Sequence, residues 1–253
     1  MSNNNKTPLT TLITKYTTIL FFVVSLIGCS GASTIKSDKA ANVNADLGIR
    51  YLQSGRLQLA NEKLQKALKQ SPNSPAANHY FAILQQRLGD SNKARKHFTK
   101  AVSLSPKDPE IRNNYGSFLC DNNQLDIALK QFFSAINDPL YATPEFAYTN
   151  AGICLRKMGN DDKAEEYFRN ALRKKSAFPS ALLEMASLYN DRNIYPRAQA
   201  FMTRYESVGK SSPKALELCT IINQQMNDIA KSESCKSALL RLFPQSVEAQ
   251  RVN

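Results

Sequence analysis

The chain has 253 residues, with 33 Lys and Arg against 21 Asp and Glu, giving a net charge of +12. The basic residues are scattered, as in Arg87, Lys93, Arg95 and Lys96, and no long basic run is interleaved with aromatics, which argues against nucleic acid as a partner. Only two histidines occur, His79 and His97, and no P-loop, GxGxxG, GxSxG or HExxH is present. The chain is therefore not expected to be an enzyme, and no cofactor or metal is expected.

In chain order, Lys6 and Lys15 are the only charges before residue 30. An apolar stretch, Ile19 to Ile27, follows and is too short to span as a mature transmembrane helix. It ends in Leu26-Ile27-Gly28-Cys29, which resembles a bacterial lipobox. That resemblance implies a signal peptide over 1–28 and a Cys29 that becomes an acylated N-terminus. At ~0.8 kcal/mol per buried methylene, a multi-chain anchor is effectively permanent. The mature chain would have 225 residues, with its charge lowered by Lys6 and Lys15. Ser30, in place of an aspartate, favours the outer membrane, periplasmic face. Residues 29–40 are small and polar and read as a flexible tether.

From residue 41 a period appears. Ala60, Ala94, Ala128, Ala164 and Ala198 recur at spacings of 34, 34, 36 and 34. Twelve places earlier stands a small residue (Gly48, Ala82, Gly116, Gly152, Ala186), and four places later a bulky one (Leu64, Phe98, Phe132, Phe168, Met202). This resembles the tetratricopeptide pattern. It implies an all-α, right-handed superhelical solenoid of about six helix pairs: 41–74, 75–108, 109–144, 145–178, 179–212 and a degenerate 213–246, with a tail over 247–253. Pro75, Pro109, Pro144, Pro179 and Pro213 open repeats two to six near the first helix. Ser74, Asp108, Thr143 and Ser212 stand before four of these prolines as N-caps. Gly55, Gly89 and Gly159 suit tight turns between paired helices. The third repeat is two residues longer, and its joint 137–144 either presents Tyr141 or is a tolerated insertion. Ser232 and Lys236 replace the expected alanine and phenylalanine, as suits a polar capping repeat. His97 is expected at the surface.

Setting Cys29 aside, four cysteines remain, an even number for an exported chain. Three pairings are possible. The register favours Cys120 with Cys154, on the first helices of neighbouring repeats, and leaves Cys219 with Cys235 to join the last helix pair.

In proteins similar to this one, the first helix of each repeat lines an inner groove. The corresponding places give an apolar patch, Ala45, Ile49, Leu52, Tyr80 and Ile83, and a polar zone of Asn113, Asn114, Ser117, Thr149 and Asn150. Asn114 and Asn150 share a place, and a carboxamide can pair with the main chain of an extended peptide. The apolar patch would be the main partner contact. The competing readings are packing between neighbouring helices for the apolar residues and helix-to-helix hydrogen bonds for the asparagines.

A lipobox, a short tether and about six repeats together resemble the type IV pilus biogenesis and stability lipoproteins of the PilF/PilW family. The more specific stretches are Asn113 to Cys120, Ala181 to Ala186 and Leu240 to Ser246. The resemblance implies a pilotin: a monomeric outer-membrane lipoprotein that binds a segment of the pilus secretin and promotes its localisation and multimerisation. The alternative is an envelope adaptor that scaffolds peptidoglycan enzymes or outer-membrane barrel assembly.

Overall fold

The computed structural model describes Met1 and residues 30–252. Residues 2–29, which hold Cys29 and nearly all of the expected signal peptide, lie outside the described residues. The described residues form thirteen helices and no strand. The chain divides at Leu104 into two compact units. The first holds α1 (Ser30–Gln53), α2 (Leu57–Gln70), α3 (Pro75–Arg87) and α4 (Ser91–Leu104). The second holds α5 (Pro109–Asp121), α6 (Leu125–Ile136), α7 (Pro144–Lys157), α8 (Asp161–Lys174) and α9 (Pro179–Asp191). It continues with α10 (Tyr195–Glu206), α11 (Pro213–Gln225), α12 (Ile229–Leu242) and α13 (Val247–Val252). No described helix is long and apolar enough to cross a membrane.

The helix starts follow from local chemistry. Ser74 Oγ accepts from Ala77 N, Asp108 from Glu110 and Ile111 N, and Ser212 Oγ from Ala215 N, each followed by proline at the first helical position. Thr143, expected to do the same, makes no side-chain cap bond. Its ψ of 56° is not extended backbone. Between paired helices the chain must turn with positive φ. Gly55, Gly89 and Gly159 do so at 76°, 80° and 74°. Asn123, Asn193 and Asn227 fill the same place in the other pairs at 57°, 58° and 60°. Six pairs therefore share one turn, built from the two residue types that tolerate it best.

Packing explains the period. A Cβ on Gly48 would stand 2.5 Å from Leu64 Cγ, on Gly116 2.7 Å from the Phe132 ring, and on Gly152 2.5 Å from the Phe168 ring. The glycine leaves the hole that the bulky residue of the partner helix fills. Leu64, Phe98, Phe132 and Phe168 are fully buried, as are Ala60, Ala94, Ala128 and Ala164. Each such large side chain contributes about 1.5–3 kcal/mol. In the last pair, Ser232 at the alanine place donates to Thr220 O at 2.9 Å, so a buried hydrogen bond stands where the other pairs have apolar contact.

Three expectations change, and the choice left open at the 137–144 joint falls to the tolerated insertion. The stretch 30–40 is helical from Ser30, and Ser37 Oγ donates to Gln70 O at 2.6 Å, so it is not a loose tether. The stretch 247–253 is not a plain tail: Val247–Val252 is a helix with Ala249 buried, packed on α11 and α12. Tyr141 is half-buried, and burial pushes its hydroxyl up to about 12; Leu140 is the large apolar side chain that the joint exposes, at 89%. His97 is half-buried, with Nδ1 2.9 Å from Asn78 Oδ1 and its ring edge-on to Phe81.

Candidate partner-binding surfaces

In the first unit the apolar patch divides in two. Ala45 is fully buried and Leu52 is 3% exposed, because both pack into the core with Leu64, Phe81 and Leu84. They hold helices together and offer no surface to a partner, which corrects the five-residue groove. Ile49, Tyr80 and Ile83 are half-buried and lie against that core. They come from the first helices α1 and α3, which pack directly on each other. Arg87 Nη1 donates to Leu52 O at 2.9 Å, placing a cation on the C-terminal end of α1 where the helix dipole is negative. Together these leave three apolar side chains, anchored from beneath, whose outer edges reach solvent.

In the second unit the first helices are tied one to the next by side chains about one repeat apart. Asn150 Nδ2 donates to Asn113 Oδ1 at 3.0 Å, and Asn113 is buried. Thr149 Oγ1 donates to Glu145 O within its own helix, and Asn114 is half-buried. Of the two readings of the asparagines, the helix-to-helix hydrogen bond is the one seen at Asn113 and Asn150. Lys157 Nζ pairs with Asp121 at 3.2 Å. Arg156 binds Asp191 and Ser187, with Glu184 at 3.7 Å. Glu184 also takes Lys214 at 2.5 Å, and Glu217 takes Arg251 at 2.7 Å. This chain of bonds joins α5, α7, α9, α11 and α13 in order. Sequence reasoning missed it, although the 28–36-residue spacing of opposite charges was there to be read. The ion pairs made by Asp121, Asp191, Lys214 and Arg251 each keep at least one solvent-exposed partner and are individually worth about 0–1 kcal/mol.

Both disulfides lie in the second unit: Cys120 with Cys154 (Cα–Cα 5.9 Å), between α5 and α7, and Cys219 with Cys235 (6.0 Å), between α11 and α12. Glu206 approaches the second, with Oε1 3.5 Å from Cys219 Sγ. Neither sulfur there is a thiolate, so the trio offers no soft metal ligands.

On the second helices, Glu165 is the hub. Tyr189 OH donates to its Oε1 at 2.6 Å, Arg169 Nη2 at 2.8 Å, and Arg192 Nη1 reaches Oε2 at 2.7 Å. Burial alone would raise this carboxyl, but those hydrogen bonds and the Arg169 charge hold it below the usual range. The cluster fixes α8 against α9.

Models of the tetratricopeptide repeat match residues 63–96, 97–130 and 147–173. The type IV pilus assembly protein PilF of Pseudomonas aeruginosa is 29% identical over 239 residues, 92% of this chain and 95% of that protein. An uncharacterised protein of Haemophilus influenzae is 31% identical over 133 residues, 53% of this chain and 74% of its own length. Among solved structures, PilW, described as a widely conserved type IV pilus biogenesis factor, superposes with a TM-score of 0.74 at 30% identity, over 84% of this chain and 97% of PilW. The P. aeruginosa PilF structure does so with a TM-score of 0.74 at 28% identity, over 86% and 98%. With its helix pairs, turns and near-complete overlap, the chain belongs to the PilF/PilW family of tetratricopeptide-repeat proteins.

Proposed function

We propose that the protein is an outer-membrane lipoprotein of type IV pilus biogenesis that acts as a pilotin. Cys29 carries the lipid, and the protein holds a segment of the pilus secretin while that subunit reaches the membrane and multimerises. The observation that supports this most is the similarity to PilF and PilW along nearly their whole length. The contact assigned to the secretin segment is the apolar trio Ile49, Tyr80 and Ile83. Three half-buried apolar side chains on two adjacent first helices suit an apolar or amphipathic segment, and at ~25 cal/mol per Å² even a modest patch gives useful affinity.

Deleting the gene and blotting outer-membrane fractions for the detergent-resistant secretin multimer tests the role. The multimer disappears on deletion and returns with the wild-type gene; with Cys29→Ala it is mislocalised. An unchanged multimer in the right membrane would end the pilotin reading. Ile49→Asp tests the contact, since it puts an unpaired charge on the patch. A folded Ile49→Asp protein that binds secretin normally would place the contact elsewhere.

A further inference from the structure

Charge is distributed unequally along the chain. Residues 30–104 carry 12 Lys and Arg against 4 Asp and Glu, whereas residues 105–253 carry 19 against 17. In the first unit the excess concentrates on the second helices. Lys63, Lys66 and Lys69 are on α2, and Lys93, Lys96 and Lys100 on α4, with Glu62 the one carboxylate on either helix. The buried residues Ala60, Leu64 and Ala67 of α2, and Ala94, Phe98 and Ala101 of α4, define the opposite, inward faces. Lys63 pairs with Glu62 and Lys93 with Asp90. Among the described residues Lys66, Lys69, Lys96 and Lys100 have no salt bridge.

The position of these cations matters as much as their number. Ser37 Oγ and Asn44 Nδ2 both bond Gln70, at 2.6 and 2.8 Å, so the end of α2 that bears Lys66 and Lys69 lies beside the beginning of α1. Seven helical residues separate Ser30 from Ser37, about 10 Å of rise. Lys100 occupies the same place one repeat later than Lys66. An acyl group on Cys29 would therefore hold this end of the unit about 10 Å from the bilayer surface, on the order of one Debye length (~8 Å in physiological salt).

We infer that the outward faces of α2 and α4 form a docking surface for the anionic phospholipid headgroups of the membrane that holds the anchor. This rests on the lipid anchor proposed at Cys29. Two signals, acyl chains and a basic patch, together fix a protein's orientation where either alone lets it swing. The apolar trio, borne by the first helices of the same unit, would then be presented at a defined height above the membrane.

The test uses the chain from Ser30 onward, which contains every helix and both disulfides described above and lacks Cys29. Flotation is measured with phosphatidylcholine vesicles and with vesicles that contain about one-third phosphatidylglycerol. The expected result is binding to the anionic vesicles alone, abolished in about 1 M salt, where the Debye length is ~3 Å. The variant Lys66→Glu/Lys69→Glu/Lys100→Glu should partition at least about tenfold less. The charge-matched variant Lys130→Glu/Lys163→Glu/Lys174→Glu, all exposed in the second unit, should stay close to wild type. Equal partitioning of the two variants, or no preference for phosphatidylglycerol, overturns the proposal. So does tighter binding to poly-glutamate than to anionic vesicles, which would assign the face to an acidic protein. Circular dichroism checks that both variants are folded. Because the test chain has no anchor and no secretin is present, its failure would leave the pilotin reading to its own experiment.

Discussion

The two units use the same helix pair in different ways. Both bury the alanine and bulky residue of the repeat and both turn on a left-handed Gly or Asn. Beyond that, the first unit is held chiefly by apolar packing, keeps three apolar side chains half open on its first helices, and carries a large positive excess. The second unit has nearly balanced charge, two disulfides, and a run of polar bonds from Asn113 to Arg251 that occupies the faces where a ligand would otherwise lie. A repeat array can thus assign recognition and rigidity to different stretches of one chain. Asn113, Asn150, Arg156 and Glu184 of the second unit's first helices are already bonded to their neighbours.

The sharpest way to break this comparison is reduction. No cysteine occurs between residues 30 and 104. The bridged cysteines of the second unit lie 34 and 16 residues apart, and each bridge should contribute about 2–4 kcal/mol. Dithiothreitol should therefore lower the unfolding temperature of the second unit markedly and leave the first unchanged by differential scanning calorimetry. A loss shared equally by both would mean that they do not unfold separately. Phe98→Ala and Phe168→Ala ask the converse question at the same place in each unit. Both rings are fully buried, so each substitution should cost about 3–5 kcal/mol in chemical denaturation. Costs that differ by more than the usual context effect would show that the shared core is less alike than its geometry.

The polar run allows a finer test. Asn150→Ala leaves the buried Asn113 Oδ1 without its donor and should cost about 1–3 kcal/mol. Adding Asn113→Leu should restore most of that loss, since neither partner then remains unsatisfied. If the double variant is no better than the single, the pair is not a structural bond, and the peptide-binding role would need to be reconsidered.

Much of this fold is legible because its determinants are local and periodic. The alanine, glycine and bulky places predict which residues vanish from solvent, and the Ser-Pro and Asp-Pro pairs predict helix starts. Asn123, Asn193 and Asn227 share the place of the turn glycines, so the full turn pattern was also present. The surfaces were harder to read. Ala45 and Ile49 are one helical turn apart, yet only the packing of α3 and α2 decides that the first is sealed and the second is not. The place of Asn150 in a groove says nothing of whether Asn113 is near enough to accept its N–H. Thr143 stands where a cap is expected, but the longer joint before it sets a backbone that denies the bond. Composition pointed to a basic chain; only the division at Leu104 shows that the imbalance belongs to one unit.

Acid should separate the two units with a smaller, directional effect. Burial, and then the charges of Lys96 and Lys100, hold the His97 imidazole below its usual 6.5, so the folded first unit favours the neutral ring. A depressed folded value gives stability that is complete above about 6.5 and is lost as pH falls through the folded value. In the second unit Glu165 is also held below its usual value, but that value is a carboxylate's, 4.5. Its contribution persists until the solution is more acidic than that. As pH falls below about 6.5 the first unit should therefore weaken while the second holds, and below about 4.5 the second should follow. His97→Gln keeps a donor within reach of Asn78 and removes the titration, so it should flatten the first unit's pH profile without shifting the second. A first unit whose stability is level from pH 7 to 5, or a His97→Gln protein with the wild-type profile, would remove His97 as the cause.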